Sequence, residues 1–464
     1  MKVLLVNTNR EIAPVPAIPL GLCNVASSVS MAGHSVTVKD LCFTPHPAKY
    51  MAKLIGQTAP DVIGLSIRNI DNADSVSPKW YLPEIRSIVE VCKEASSAQV
   101  VIGGPAVSIA PRQILSYLGA DYAVAGDGEV AFPQLLQEME KGDNPAPIRP
   151  MNRVENLDSL PPTRIADWLD LKSYAAYDAP IPIQTKRGCA FECDYCTYRN
   201  IEGSAYRLRS PSLVADEIED LMARYPNRSI EFVDSVFNCP EDHAIAICEE
   251  LIRRGIKANL QTSNFSPKHC SPELLRVMEQ AGFNSVAITC ESASDGILTN
   301  LRKGFGGEDV FRAAEGLRAT NMLRLWIFLI GGPGETEETA RETIKFMEKC
   351  LTKQDLVYIT YGIRIYPGAG IHRRAVEEKI VFPDDDLLRP RFYVSPDLSL
   401  ERLRKLIRQA DFPTENIVFA SDGNHPGLRI VQRLFAMARS KSPYWRYTPI
   451  LNRTVGRFIH SGGK

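Results

Sequence analysis

Short runs of aliphatic and β-branched residues recur along this chain, each closed by a polar or glycine-rich turn, with amphipathic stretches of helical period between them. The first runs predict strands at Val3–Val6, Ser35–Lys39, Val62–Ile67, Val100–Ile102 and Tyr122–Ala125. Helices are expected near 20–32, 82–95 and 111–118, with another starting near 129. Such alternation predicts a doubly wound, parallel α/β domain over residues 1–140. Residues 141–180 are proline-rich and read as an irregular linker. Alternation then returns, with strands expected at 181–185, 229–234, 257–262, 285–290, 324–330 and 357–365. Six βα steps predict a partial (β/α)6 barrel over 181–375. Residues 376–464 read as a basic, mostly helical segment.

The strand ends carry the polar chemistry. Asn7-Thr8-Asn9, Ser66-Ile67-Arg68-Asn69, Gly103-Gly104-Pro105 and Gly126-Asp127-Gly128-Glu129 should share one edge of the first sheet. Ligands of open α/β sheets sit beyond the carboxyl ends of the strands, and glycines there let backbone come close to a bulky group.

Bulk properties narrow the class. The chain has 464 residues, 44% hydrophobic and 23% charged, as in an ordinary globular protein of two to four domains. Its net charge of -1 gives no argument for a nucleic-acid partner. The apolar run at Met1–Val6 is too short for a signal peptide, and no stretch is long enough to span a bilayer, so a cytoplasmic protein is expected.

Three of the eleven cysteines stand together, in the run Thr185 to Thr197. Cys189, Cys193 and Cys196 have the spacing C-x3-C-x2-C. Three thiolates on one tight loop can hold three irons of a [4Fe–4S] cube and leave the fourth iron open. Zinc is the alternative, but it wants four ligands, and the nearest downstream histidine is His243. The remaining cysteines are scattered singly and read as small core residues.

The cysteine run resembles the signature of the radical SAM superfamily, whose open iron chelates S-adenosylmethionine (SAM). The first domain is similar to the cobalamin-binding domain of one branch of that superfamily. The pieces that carry this likeness are Pro19 to Leu22, Ala32-Gly33-His34, Ile102 to Pro105 and Gly126 to Glu129, where Asp127 stands in place of the usual Glu. The resemblance assigns cobalamin contacts to Ser66, Arg68, Gly103, Gly104, Gly126, Gly128 and Glu129. No D-x-H-x-x-G motif is present, which implies no histidine on the lower cobalt face. Arg68 is the candidate to lie beneath the corrin; pairing with Asp71, or capping of the next helix, is the competing reading.

For SAM, the resemblance assigns Cys189, Cys193 and Cys196 to the cluster and places Tyr195 near the adenine. Asp234 would accept a hydrogen bond from the SAM amino group, unless it caps a helix. Ser263, on the third barrel strand, would reach the ribose or carboxylate. Glu291 and Ser292 match the family's Gly-Ile-Glu-Ser segment, although Cys290 replaces the usual glycine. Gly331, Gly332, Gly334 and Glu335 match its Gly-x-Pro-Gly-Glu-Thr strand end. Arg364 or Tyr366 would face a shared cavity, and Arg207 and Arg209 would bind an anion or form surface salt bridges.

The resemblance implies a cobalamin-dependent enzyme that transfers methyl from methylcobalamin to a substrate carbon, with SAM as methyl and radical source. Cyclisation, rearrangement or carbon–carbon coupling by the same cofactors is an alternative; a non-catalytic cluster sensor is another. Implied partners are a small-molecule or lipid-like substrate and a flavodoxin- or ferredoxin-type reductant. The C-terminal residues Arg429, Arg433, Arg439, Lys441, Arg446, Arg453, Arg457 and Lys464 interleave with Phe435, Trp445, Tyr447 and Phe458. They suit either a solvated basic helix on the barrel mouth or a contact with a membrane surface or acidic substrate.

Overall fold

The computed structural model describes residues 1–421, 443–450 and 452. Its first sheet contains β1 (Lys2–Asn7), β2 (Ser35–Asp40), β3 (Val62–Ser66), β4 (Gln99–Gly103), β5 (Tyr122–Gly126) and β6 (Ile148–Asn152). All pair in parallel, in the order β2-β1-β3-β4-β5-β6. The chain order reverses between β1 and β3, the place where such sheets open a ligand crevice. Both faces are covered, which is why the strands read as nearly continuous apolar runs. Leu4, Val6, Ile63 and Leu65 pack on one side, and Val3, Leu5, Val62 and Phe132 on the other.

Helices follow at Leu20–Met31, Pro47–Thr58, Leu82–Ala95, Pro111–Leu118 and Gly128–Glu140. Pro111 opens its helix where an N–H is dispensable, and Gly119 closes it in the left-handed region at φ 67°. The helix at 47–58 is absent from the sequence reading; it buries only Met51, Leu54 and Ile55, a narrow stripe.

The linker reading needs correction. Residues 148–152 are β6, an edge strand whose ladder tolerates Pro150. Beyond it the chain straps the two domains together. Tyr174 donates to Asp40 at 2.8 Å, and Trp168 Nε1 to Ser27 at 3.0 Å. Ile165, Leu169, Leu171 and Tyr174 join the core of the second domain.

That domain begins with β7 (Ile181–Ile183). A two-stranded antiparallel ribbon follows, β8 (Lys186–Arg187) with β9 (Arg207–Leu208). Then come β10 (Ser229–Phe232), β11 (Asn259–Phe265), β12 (Phe283–Glu291), β13 (Leu323–Ile330) and β14 (Asp355–Tyr361). The strand expected over 357–365 breaks at Gly362 (φ 75°). Its end, β15 (Ile363–Arg364), pairs instead with β16 (Phe392–Tyr393). The C-terminal segment, read as mostly helical, supplies β17 (Ile417–Phe419) on the outer edge of β14. The sheet is therefore a seven-stranded parallel open barrel, ordered β17-β14-β13-β12-β11-β10-β7.

Among the described residues no helix is long and apolar enough to cross a membrane. Of the basic tail, Trp445, Arg446 and Tyr447 fall in a short 3-10 turn; Arg429, Arg433, Arg439, Lys441, Arg453, Arg457, Lys464, Phe435 and Phe458 lie outside the described residues.

Candidate functional site

The carboxyl ends of β1, β3, β4 and β5 face the barrel across a cavity of about 600 Å³. Ser66, Arg68, Gly103, Gly104, Gly126, Gly128 and Glu129 all border it. From the barrel side come Gln184, Arg187, Tyr198, Glu202, Glu231, Ser263 and Asn264. Gly104 has φ 101°, and a Cβ there would stand 2.6 Å from the Ile67 carbonyl oxygen. Backbone lies bare to the cavity at these turns, as a large flat ligand requires.

Ion pairs close the rim between the domains. Arg187 reaches Asp127 at 2.9 Å and Glu129 at 2.5 Å, all three nearly buried. Arg207 takes the other oxygen of Asp127 at 2.5 Å. Glu129 is thus committed to Arg187 rather than left free for a corrin, and Arg207 is a structural arginine. Arg209 pairs with Glu217 at 2.7 Å.

Arg187 leads directly into the cysteine loop, which is pinned at its entry. Asp234 accepts from the Thr185 N–H at 2.7 Å, the Thr185 hydroxyl at 2.6 Å and the Lys186 N–H at 3.1 Å. Lys186 Nζ lies 3.5 Å from the same carboxylate and donates to the Phe237 carbonyl at 2.7 Å. Asp234 is fully buried. Its acceptors are turned inward, so it neither meets SAM nor caps a helix; it anchors the strand that delivers the cysteines. Glu202 accepts from the Gly188 N–H at 3.0 Å, and Ser235 donates to the Gly188 carbonyl at 2.7 Å.

Burial raises the pKa of all three loop thiols, that of Cys196 to about 12. A metal centre reverses such a shift by binding the thiolate. Among the described residues no three acidic, cysteine or histidine side chains converge on one point as for a single ion. A cube needs no such point, because each thiolate takes a different iron, and the donor set of three cysteines on one loop fits it.

Beside the loop lies a buried network. Tyr195 donates to Glu291 at 2.7 Å, and Lys303 Nζ stands 2.6 Å from the same carboxylate and 3.0 Å from the Tyr195 oxygen. Burial alone would lower the pKa of Lys303, but the negative groups around it, Glu291 foremost and then Cys193, together raise it. Glu291 sits at φ 61°, a strained position at the end of β12. Ser292 turns inward to Thr343 at 3.0 Å, which removes it as a SAM contact. Glu335 also folds back, accepting from Thr339 at 2.6 Å and from the Gly331 N–H at 3.3 Å. Burial pushes its pKa to about 7. Gly331 and Gly332 lie under Tyr361 and Ile363, and Gly334 beside Asn300. Of the residues assigned to SAM, only Ser263 borders the interdomain cavity.

Arg364 does not face the cavity. It is buried against Asp71 at 2.7 Å and lies 4.7 Å above the Tyr366 ring. Asp71 is therefore the partner of Arg364, and the Arg68–Asp71 reading falls. Arg68 is exposed on the cavity wall and has no ion-pair partner among the described residues. The sequence reading also passed over Lys303, Lys186 and Glu231. Only Glu231 gave a signal, a carboxylate inside an apolar strand.

A sequence-family model for the radical SAM superfamily matches residues 183–347, and one for the B12 binding domain matches residues 12–136. The chain carries a radical SAM domain preceded by a B12-binding domain. An uncharacterized methyltransferase of Pyrococcus horikoshii is 26% identical over 444 residues, covering 88% of this chain and 91% of that protein. The tryptophan 2-C-methyltransferase of Streptomyces laurentii is 23% identical over 493 residues, covering 89% and 80%. The fold matches the radical SAM methyltransferase TsrM of Kitasatospora setae, solved with tryptophan and a SAM analogue, at a TM-score of 0.85, 21% identity and 99% of both chains. The cavity suits a corrin in that the backbone of Gly103, Gly104, Gly126 and Gly128 borders it.

Proposed function

We propose that the protein is a cobalamin-dependent radical SAM methyltransferase acting on a carbon of a small molecule. The observation that carries this reading is the cavity of about 600 Å³ between the glycine-rich strand ends of the first sheet and the interior of the barrel. Arg187, which leads into the three-cysteine loop, stands on its wall. When bound, the reduced cluster with SAM supplies radical chemistry, and cobalamin supplies a methyl carrier.

The chain's own part is positioning. Cys189, Cys193 and Cys196 hold the cluster, and Asp234 with Lys186 fixes the strand that presents them. Gly103, Gly104, Gly126 and Gly128 would give the corrin a backbone floor, with Arg68, which has no ion-pair partner among the described residues, on the same wall. Tyr195, Glu291 and Lys303 form a polar wall beside the cysteine loop, poised to exchange internal hydrogen bonds for contacts to SAM. An external one-electron protein donor of the flavodoxin or ferredoxin type completes the system.

Protein reconstituted without oxygen, with iron, sulfide and hydroxocobalamin, should form S-adenosylhomocysteine and place the labelled methyl of SAM on its product. Cys193→Ala should lose cluster iron and all reductive SAM cleavage; cleavage at the wild-type rate would refute the cluster assignment. Deoxyadenosine formed with no labelled product would redirect the assignment to ring formation or coupling.

A further inference from the structure

Most of the charged side chains that border the cavity are committed within the protein. Glu11 has Lys79 at 2.9 Å, and Asp127 and Glu129 have Arg187; Glu202 forms no ion pair among the described residues but is tied to the cysteine loop by the Gly188 N–H at 3.0 Å. Arg68 and Glu231 remain, one on each wall, and neither forms an ion pair among the described residues. Arg68 belongs to the corrin wall. Glu231 belongs to the barrel.

Its position is set by the sheet. On β10 the neighbours Ile230 and Phe232 point into the core between sheet and helices, so Glu231 points the other way, into the barrel. Its register partners are Pro182 on β7 and Gln261 on β11, and neither carries charge. Ser263, also on the cavity wall, gives it one hydrogen bond. A half-buried carboxylate with no cation in ion-pair range among the described residues costs stability, and a valine or threonine would serve the strand better. Burial pushes its pKa to about 7, against weaker opposing pulls from the Ser263 hydrogen bond and then from Arg68. An unmatched acid in a cavity marks a site whose counter-charge arrives with a ligand.

We propose that Glu231, supported by Ser263, receives a cationic or N–H-bearing nitrogen of the substrate, so that the cavity takes an amino- or N–H-bearing small molecule rather than an anion or a plain hydrocarbon lipid. This deepens the methyltransferase reading, since it concerns the same cavity, but it is tested by binding alone. A failure of methyl transfer therefore leaves it standing, and its own failure leaves the cofactor assignments intact.

The test uses protein loaded with cluster and hydroxocobalamin, and two probes of one shape, benzylammonium and benzyl alcohol, in equilibrium dialysis. At pH 8 the wild type should hold the ammonium about tenfold more tightly than the alcohol, and Glu231→Gln should bring the two within about twofold. Iron and corrinoid content report whether the variant has folded. The wild type alone supplies a second reading. Arg68 and Ser263 are the groups that act on Glu231, while Tyr198, Glu202 and Arg187 share its cavity. The ammonium probe stays protonated between pH 6 and pH 8, so its preference should fall as the pH is lowered and the carboxylate is neutralised. Equal uptake of both probes by the wild type, including none, overturns the proposal. So does a preference that survives in Glu231→Gln, or one that does not change with pH.

Discussion

Gly103 and Gly104 adjoin on the cavity wall but are glycine for different reasons. A Cβ on Gly104 would collide with the Ile67 carbonyl at 2.6 Å, in a backbone region that side chains avoid. Gly104→Ala should cost on the order of 1–3 kcal/mol in urea unfolding, whatever it does to cofactor. Gly103 has no positive φ, and its Cβ would meet only Val124, at an ordinary 3.5 Å. Gly103→Leu should leave the melting temperature nearly unchanged and weaken hydroxocobalamin binding about tenfold or more, since the new side chain would stand in the cavity. Full corrinoid retention in that variant would move the corrin elsewhere. Glu231 makes the opposite trade. Its pKa is raised on folding from 4.5 to about 7, so its contribution to stability is complete below pH 4.5 and is lost as the pH rises through about 7. Glu231→Gln should match the wild type in acid and exceed it at pH 8 by about 1–3 kcal/mol, measured without cofactors by chemical unfolding. The cysteine spacing was legible because it is local. The inward turn of Asp234 was not, because its partners at Thr185 and Lys186 lie some fifty residues away, a separation of 49 and 48 in sequence.

The β8–β9 ribbon, with Arg187 and Arg207 on it, is the element that joins the cysteine loop to the acidic turn after β5. Removing the Arg187 guanidinium strands Glu129 in a nearly dry place and leaves Asp127 to Arg207 alone. Arg187→Met should lower stability by about 3–5 kcal/mol, and adding Glu129→Leu should restore part of the loss. Corrinoid affinity should fall in the single variant as well, because the turn at Gly126 loses its brace; an unchanged dissociation constant would confine Arg187 to stability. Elements buried on both faces could be read from the chain, as their boundaries show: β3 and β4 stand within a residue of expectation. The edges could not. β6 has one neighbour and only partly covered residues, so Ile148 to Asn152 reads as loop. β17 has three residues, too few for a period.

At the scale of the molecule, the two domains are held by charge at separated places. Arg187 with Asp127 and Glu129 forms one lock, and Arg364 with Asp71 another. The Ser75 hydroxyl also donates to the Tyr361 carbonyl, close to the break after β14. Buried contacts of this kind couple the domains, so calorimetry should show one transition, and Arg364→Met should lower it or split it in two. Two resolved transitions in the wild type would mean that the interface is weaker than its geometry. The Arg364 pair was beyond reach of sequence pattern, since its members are 293 positions apart and neither belongs to a motif. A practical limit follows for chimeras. A foreign corrinoid module grafted onto this barrel would arrive opposite two arginines that have no water to fall back on. Unless the graft supplies acids at the places of Asp71, Asp127 and Glu129, the hybrid would be defeated at its seam, however well each half folds.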